Sequence, residues 1–450
     1  MSVAAPLDAF RDAVSGHRRG RARLWHGASN APLPRWPFTL MFVGFPIWWV
    51  LGPGEAAWIP LSFVMLFYLV RRRRIEIPNG FGLWLLFMVW MSCSVVEIDT
   101  GGRLIGFIYR GLSYLTATII FLYVYNAREN LTLRYVAGVL SAYWVVIVIG
   151  GYLGVFFPLL RIETPLGYVL PGSIRNNELV KEMITRRVTQ FDPTAYDPLS
   201  PRPSAPFLYT NGWGNAYSML SPFFVAYLAE VRHTKCFWFL AILLPVSLVP
   251  ALLTLNRGMF IGVGIGLVYA GIRSALRGHV RALIVILAVG VLIAVAFTVL
   301  PISELLTTRL STSSTTTDRA NLYAETFTRT LQSPLFGYGA PRPSFTAGAP
   351  DAGTQGQVWM VLFSHGIPGL LFFMGWIGYA VVRSARQRSL IGFAGHIALL
   401  IVFIESFYYG TLLTGLAVAM IAGAITQRPA PKPFVEGVPA PDESALALRA

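Results

Sequence analysis

The chain has 450 residues, 55% of them hydrophobic and only 13% charged, with a formal net charge of +15. A soluble domain carries about 25% charged residues, so this balance excludes an ordinary soluble multidomain enzyme, a disordered protein and a fibrous one. The excess of base does not point to nucleic acid either, because no soluble segment carries a basic stripe interleaved with aromatics. A polytopic membrane protein whose positive charge reports topology fits the composition.

Residues 1–35 form a basic tail with no apolar core and no cleavage site after one, so no cleavable signal is expected. A membrane helix needs about 20 mostly apolar residues. Twelve segments approach that: 36–52, 56–70, 81–96, 104–125, 133–157, 213–230, 236–255, 258–275, 282–301, 357–382, 390–408 and 411–427. The expected fold is therefore all-α, with about 12 transmembrane helices. Spans 1–5 occupy 36–157, spans 6–9 occupy 213–301 and spans 10–12 occupy 357–427.

Orientation follows from the basic residues. With the N-terminus in the cytoplasm, the short inner loops hold 14 Lys and Arg, and the short outer connections hold three: Arg103, Arg110 and Arg257. That bias places both termini in the cytoplasm. It puts 23 of the 36 basic residues inside and leaves 13 outside. Two large loops then face outward, 158–212 and 302–356. The second is expected to be partly helical, with a helix from Arg319 to Leu331 presenting Tyr323, Phe327 and Leu331 on one face and ending before Pro334. Residues 428–450, rich in Pro and Ala, read as a disordered cytoplasmic tail.

Cytoplasmic arginines are explained by topology, whereas outer ones need another reason. Arg257 lies in LNRGMFIG between two apolar spans, so its guanidinium sits at or just inside the outer interface. A charge there is costly without a partner. It suits a clamp on an anionic lipid head group such as a diphosphate; an arginine snorkelling to the interface would look the same. Gly258, Gly262 and Gly266 share one helical face and predict close helix packing. Arg202 precedes a span that opens with Asn211 and Asn215, which suits either a wet cavity or a capped helix start. His365 reads as a packing residue, and Glu405 is an intramembrane acid that could balance an arginine or serve the site. Cys93 and Cys236 give no disulfide framework, and neither Asp-x-Asp nor a His cluster argues for a metal or another cofactor.

Four features in order resemble the O-antigen ligase family of polytopic glycosyltransferases, which includes O-antigen polymerases. Arg202 with Phe207 and Asn211 resembles its R…G-x-F…N segment. Asn256-Arg257-Gly258 resembles its S-R-G start of a span. Arg319 followed by Ser333-Pro334-Leu335-Phe336-Gly337-Tyr338-Gly339 resembles its R…(N/S)-P-L-x-G-x-G segment. Gly353 to Gly369 resembles its H-N-x-Y-L…G-x-x-G stretch. One departure stands out: the position of the family histidine falls on Gln355, which is no base at neutral pH. His365 is about 15 Å of helical rise away and does not replace it.

The resemblance implies transfer or polymerisation of a polyprenyl-diphosphate-linked glycan onto a glycan or lipid acceptor hydroxyl, at the outer face of the cytoplasmic membrane. It implies Arg257, Arg319, Asp318 and Gln355 as the catalytic set. Arg202, Asn211, Gly337 and Gly339 join Arg257 and Arg319 in binding substrate. Without the histidine, either Asp318, Glu325 or Asp351 supplies a base, or the good leaving group makes one unnecessary. A transporter or flippase of a lipid-linked substrate would explain the spans and outer arginines with no chemistry.

Overall fold

A computed structural model of the chain describes residues 32–175, 178–191, 200–299, 307 and 315–429. The basic tail to residue 31, the Ser-Thr run over 311–314 and the extension from 430 lie outside the described residues. The helices run α1 (Trp36–Phe42), α2 (Phe45–Leu51), α3 (Trp58–Val70), α4 (Gly82–Cys93), α5 (Gly101–Asn126) and α6 (Leu133–Phe156). The first large loop holds α7 (Pro165–Val169), α8 (Gly172–Arg175) and α9 (Glu178–Ile184). It also holds two short antiparallel pairs that an all-α reading omits: β1 (Arg161–Glu163) with β2 (Thr185–Arg187), and β3 (Thr189–Gln190) with β4 (Arg202–Pro203). Then follow α10 (Thr210–Glu230), α11 (Cys236–Val246), α12 (Leu248–Leu253), α13 (Arg257–Leu276) and α14 (Val280–Val299). The second large loop holds α15 (Thr315–Thr330), and the chain continues through α16 (Gln357–Ser384), α17 (Leu390–Glu405) and α18 (Thr414–Gln427).

Each of the twelve apolar segments is helical. Among the described residues six helices qualify as crossings by length and hydropathy, or seven if Phe45–Leu51 and Gly54–Val70, bent by 117°, are one span. Gly82–Glu97, Leu390–Glu405 and Thr414–Gln427 are shorter apolar helices. Polar side chains start several of these helices: Thr100 accepts from Arg103 N (3.4 Å), Thr132 from Tyr135 N (3.2 Å) and Ser389 from Gly392 N (3.1 Å).

Two expected spans are each split into two helices. Residues 36–52 form α1 and α2, with Pro46 in the first turn of α2. Residues 236–255 form α11 and α12, because Pro250 has no N–H for the carbonyl of Val246. Tyr152 fills that gap, its hydroxyl donating to Val246 O at 2.7 Å. An apolar surrounding demands such repair, since no water would satisfy the freed carbonyl.

At the centre, α10 packs on α6, α13 and α17, while α18 packs on α5 and α17. Trp144 and Trp213 are buried there, Trp144 stacked on Phe224 at 3.9 Å and Trp213 on Tyr217 at 5.0 Å. The glycine face of α13 does what its spacing predicts: Gly258 meets Tyr408 and Tyr409, Gly262 meets Glu405, and Gly266 meets Ile397 and Ile401. A Cβ on Gly262 would lie 2.1 Å from the Glu405 carboxyl oxygen. Gly262→Val should therefore destabilise the protein by about 1–3 kcal/mol, the usual cost of overpacking. The check is the thermal unfolding midpoint in detergent, which should fall clearly below that of a lipid-facing control such as Val268→Leu.

Candidate functional site

The site is built around a buried carboxylate. Glu405 is fully buried at the end of α17 and accepts from Asn215 Nδ2 (2.5 Å) and Ser218 Oγ (2.7 Å), both on α10. Among the described residues no arginine forms an ion pair with it; the two neutral donors on α10 satisfy it. The chain then turns through 406–413, and that turn gathers the start of α13 and the start of α16. Tyr408 donates to Gly258 O at 3.2 Å, and Tyr409 donates to the Asn256 side chain. Gln357 N donates to Tyr409 O (2.7 Å) and Val358 N to Ser406 O (2.9 Å). The buried Gln357 side chain accepts from Thr411 N (3.0 Å) and donates to Tyr114 (2.9 Å). Among the described residues, the two non-glycines with positive φ flank this junction: Leu255 at 49° and Leu413 at 60°. Such backbone costs on the order of 1–3 kcal/mol and persists only where its surroundings enforce it.

Arg257 is the first residue of α13 and is exposed. Its neighbour Asn256 is buried and caps the helix toward Met259 N, and it donates to Thr210 O at 3.0 Å. Arg202 is buried, and its Nε donates to Thr254 O at 2.6 Å, three residues before Arg257. Asn211 is half-buried in the first turn of α10. Gln355 is half-buried just before Gly356, whose φ of 98° starts α16. Asp318 is exposed and Arg319 half-buried, both early in α15. That helix reaches the junction through Tyr323, stacked on Trp359 at 4.6 Å, and Trp359 donates to Phe407 O at 2.9 Å.

Gly337 and Gly339 lie elsewhere. α16 is interrupted at Gly366 (φ 70°, ψ −173°), with Pro368 two residues on. The carbonyls freed there are taken up one by one. Tyr338 N donates to Phe363 O, Gly339 N to Ser364 O (each 2.9 Å) and Trp90 Nε1 to His365 O (3.1 Å). Pro334 O in turn accepts from Ile367 N at 2.8 Å. A Cβ on Gly337 would lie 2.3 Å from Phe363 O. The Ser-Pro-Leu-Phe-Gly-Tyr-Gly segment thus plugs a helix break, with both glycine amides engaged inside the protein. His365 beside it is buried among the rings of Phe87, Phe107 and Tyr114.

The α15 face also differs from expectation. Leu322, Thr326 and Thr330 are the buried positions, while Phe327 and Leu331 are more than half exposed. The helix docks partly by polar contact, Thr326 accepting from Gly353 N at 3.3 Å, so apolar periodicity misread it by one position.

One residue of the site escaped the topological reading. Arg110 is not in a connection; it is the tenth residue of α5, about 14 Å inside. Its Nη1 is buried with no hydrogen-bond partner, and its charge acts on Tyr114, His365 and Asp351. A lone arginine inside FIYRGLSY was the available signal. Among the described residues no group of three His, Cys, Asp or Glu could hold a metal.

Residues 239–374 match the O-antigen ligase family model. Over that stretch the chain is similar to O-antigen ligases. No match was found among curated proteins. The ligase-like region contains Arg257, Arg319 and Gln355, whereas Arg110, Arg202 and the 406–413 turn join the site from outside it.

The second large loop is tied down by ion pairs. Glu325 is pulled up by burial, but hydrogen bonds from Ser344 (2.5 Å), Arg329 (2.9 Å) and Phe345 N outweigh this and hold it below the ordinary range. Asp99 is held down to about 2 by Arg103, at 2.8 Å, and then by Arg342. Its depressed pKa means that the anchor is complete above the unfolded value near 4 and is lost as pH falls toward 2. Amide exchange around Arg342–Ala352 should therefore rise between pH 4 and pH 2, and Asp99→Asn should give the same rise at pH 7. Trp359→Ala should free α15, increasing its cleavage by added protease at least several-fold while the bundle stays intact on a gel.

Proposed function

We propose that the protein transfers or polymerises a polyprenyl-diphosphate-linked glycan onto an acceptor hydroxyl at the outer face of the cytoplasmic membrane. Its ligase-like region supports glycan transfer in envelope polysaccharide assembly; the donor, the sidedness and the layout of about twelve crossings with cytoplasmic termini belong to this proposal. The observation that carries it is the pinned Asn256-Arg257-Gly258 corner. Half-buried Tyr408 and buried Tyr409 fix the residues on either side of Arg257 while its own guanidinium stays exposed at a helix N-terminus. Preorganised positive charge aimed at a developing anion is the largest catalytic term such a site can supply.

In this reading Arg257 binds the diphosphate, with Arg319 and Asn211 beside it and Arg202 bracing the turn. Arg110 adds a second cation with an unsatisfied donor. The acceptor oxygen attacks the anomeric carbon, the bond from that carbon to the phosphate oxygen breaks, and the diphosphate leaves with the electron pair. The acceptor proton passes to a carboxylate. Asp351 is the acid that placement favours, since it is exposed, four residues before Gln355 and within reach of the Arg110 charge. Glu325 is already committed to Arg329 and Ser344. Gln355 orients the acceptor without taking its proton.

In membranes given lipid-linked donor, Arg257→Ala should lower transfer about 10²-fold or more, the scale for losing one charge-stabilising donor. Arg257→Lys should recover part of it, and Arg110→Met should also lose activity. Asp351→Asn should cost more than Asp318→Asn if Asp351 takes the proton. Normal transfer by both Arg257 variants would sink the role given to this arginine.

A further inference from the structure

At the end of the bundle opposite Arg257, a groove of about 500 Å³ runs between α10, α13, α14 and α17. That size is typical of a small-molecule site. Its walls are apolar: Val225 and Ala226 from α10, Val263 and Ala270 from α13, Phe393 and Ile397 from α17. The fourth wall is α14, a 20-residue helix with no buried residue, whose main packing among the described residues is on α13 and α12. Ala282, Val285, Val289 and Ile293 of α14 face the groove in place of partner side chains.

Charge and length define the occupant. Arg232, just past the end of α10, and Arg281, in the first turn of α14, bracket one mouth. Ser274 adds a hydroxyl there, and no acid lines the groove. From Arg281 to Ile293 the groove follows twelve residues of helix, about 18 Å. That is close to half of a ~30 Å hydrocarbon layer. A polyprenyl donor held at Arg257 would need the groove to open at the other end. The lining stops at Val263, six residues along α13 from Arg257, and includes neither Gly258 nor Tyr408.

We propose that this groove binds one acyl chain of an anionic phospholipid from the leaflet opposite the Arg257 face, with its phosphate on Arg232 and Arg281. The lipid seats α14 against the bundle. Its far end meets Ser218, which lines the groove and donates to Glu405, so occupancy acts on the junction that sets Arg257.

The test is binding alone and needs no transfer activity, so it stands or falls separately from the proposed function. The full chain, purified in mild detergent and exchanged with phosphatidylglycerol or phosphatidylcholine, is weighed intact by mass spectrometry. The wild type should hold one phosphatidylglycerol in preference to phosphatidylcholine. R232Q/R281Q should weaken that retention about 30-fold, since each basic residue near an anionic lipid contributes about fivefold. Ala270→Trp, which fills the groove, should also abolish it. R73Q/R74Q, a basic pair away from the groove, should retain the lipid. Equal retention by R232Q/R281Q and wild type, an equal loss in R73Q/R74Q, or no preference over phosphatidylcholine would overturn the proposal. So would displacement by an equimolar polyprenyl phosphate, which would make the groove a donor-chain site.

Discussion

The organisation of this protein depends on one buried carboxylate. Glu405 sits where α10, α13 and α17 meet, and it is tolerated there because Asn215 and Ser218 donate to it and Gly262 leaves it room. Deep in an apolar bundle an ionisable group with less than full hydrogen bonding would be expelled or would drag in water. Satisfied, it fixes three helices in register. The residues that follow it, Ser406 to Thr411, then have one place to go, and the starts of α13 and α16 are built on them.

The second principle is repair of broken helices. Three of the apolar segments do not run straight, and each break coincides with Pro or Gly. In an apolar environment the freed carbonyls must find donors inside the protein. Tyr152 serves the break between α11 and α12, and the Gly337–Gly339 turn with Trp90 serves α16. The second repair has a further effect: it clips the large loop to the bundle at residues 363–367, so the loop helix α15 is held beyond its C-terminal end by that clip and near its middle by the Tyr323–Trp359 stack.

Much of the fold was legible because an apolar run is a local property. The helical character of the apolar segments and the glycine face of α13 follow from composition and spacing. Arg257 was legible for a related reason, since a charge beside an apolar run violates a simple rule. Arg110 was hidden by the opposite circumstance: counting charges by connection assigned it to a loop, whereas only its place ten residues inside α5 reveals that it is unsatisfied. The family-like glycines of the second loop were legible as a motif but not as a role, because the partner that explains them is the break in α16, about 30 residues away.

The sequence by itself therefore determined a helical, membrane-class chain, the identity of its outlying arginines and its likeness to glycan ligases. Hydropathy and short motifs need no contact map. Tertiary structure alone decided which polar groups meet. Asn215 reaches Glu405 across 190 residues and Gln357 reaches Tyr114 across 243, and no local pattern encodes such pairings. Only three-dimensional packing turns the scattered Arg202, Arg257 and Tyr409 into neighbours around one turn, because the energy that joins them comes from burying polar atoms together.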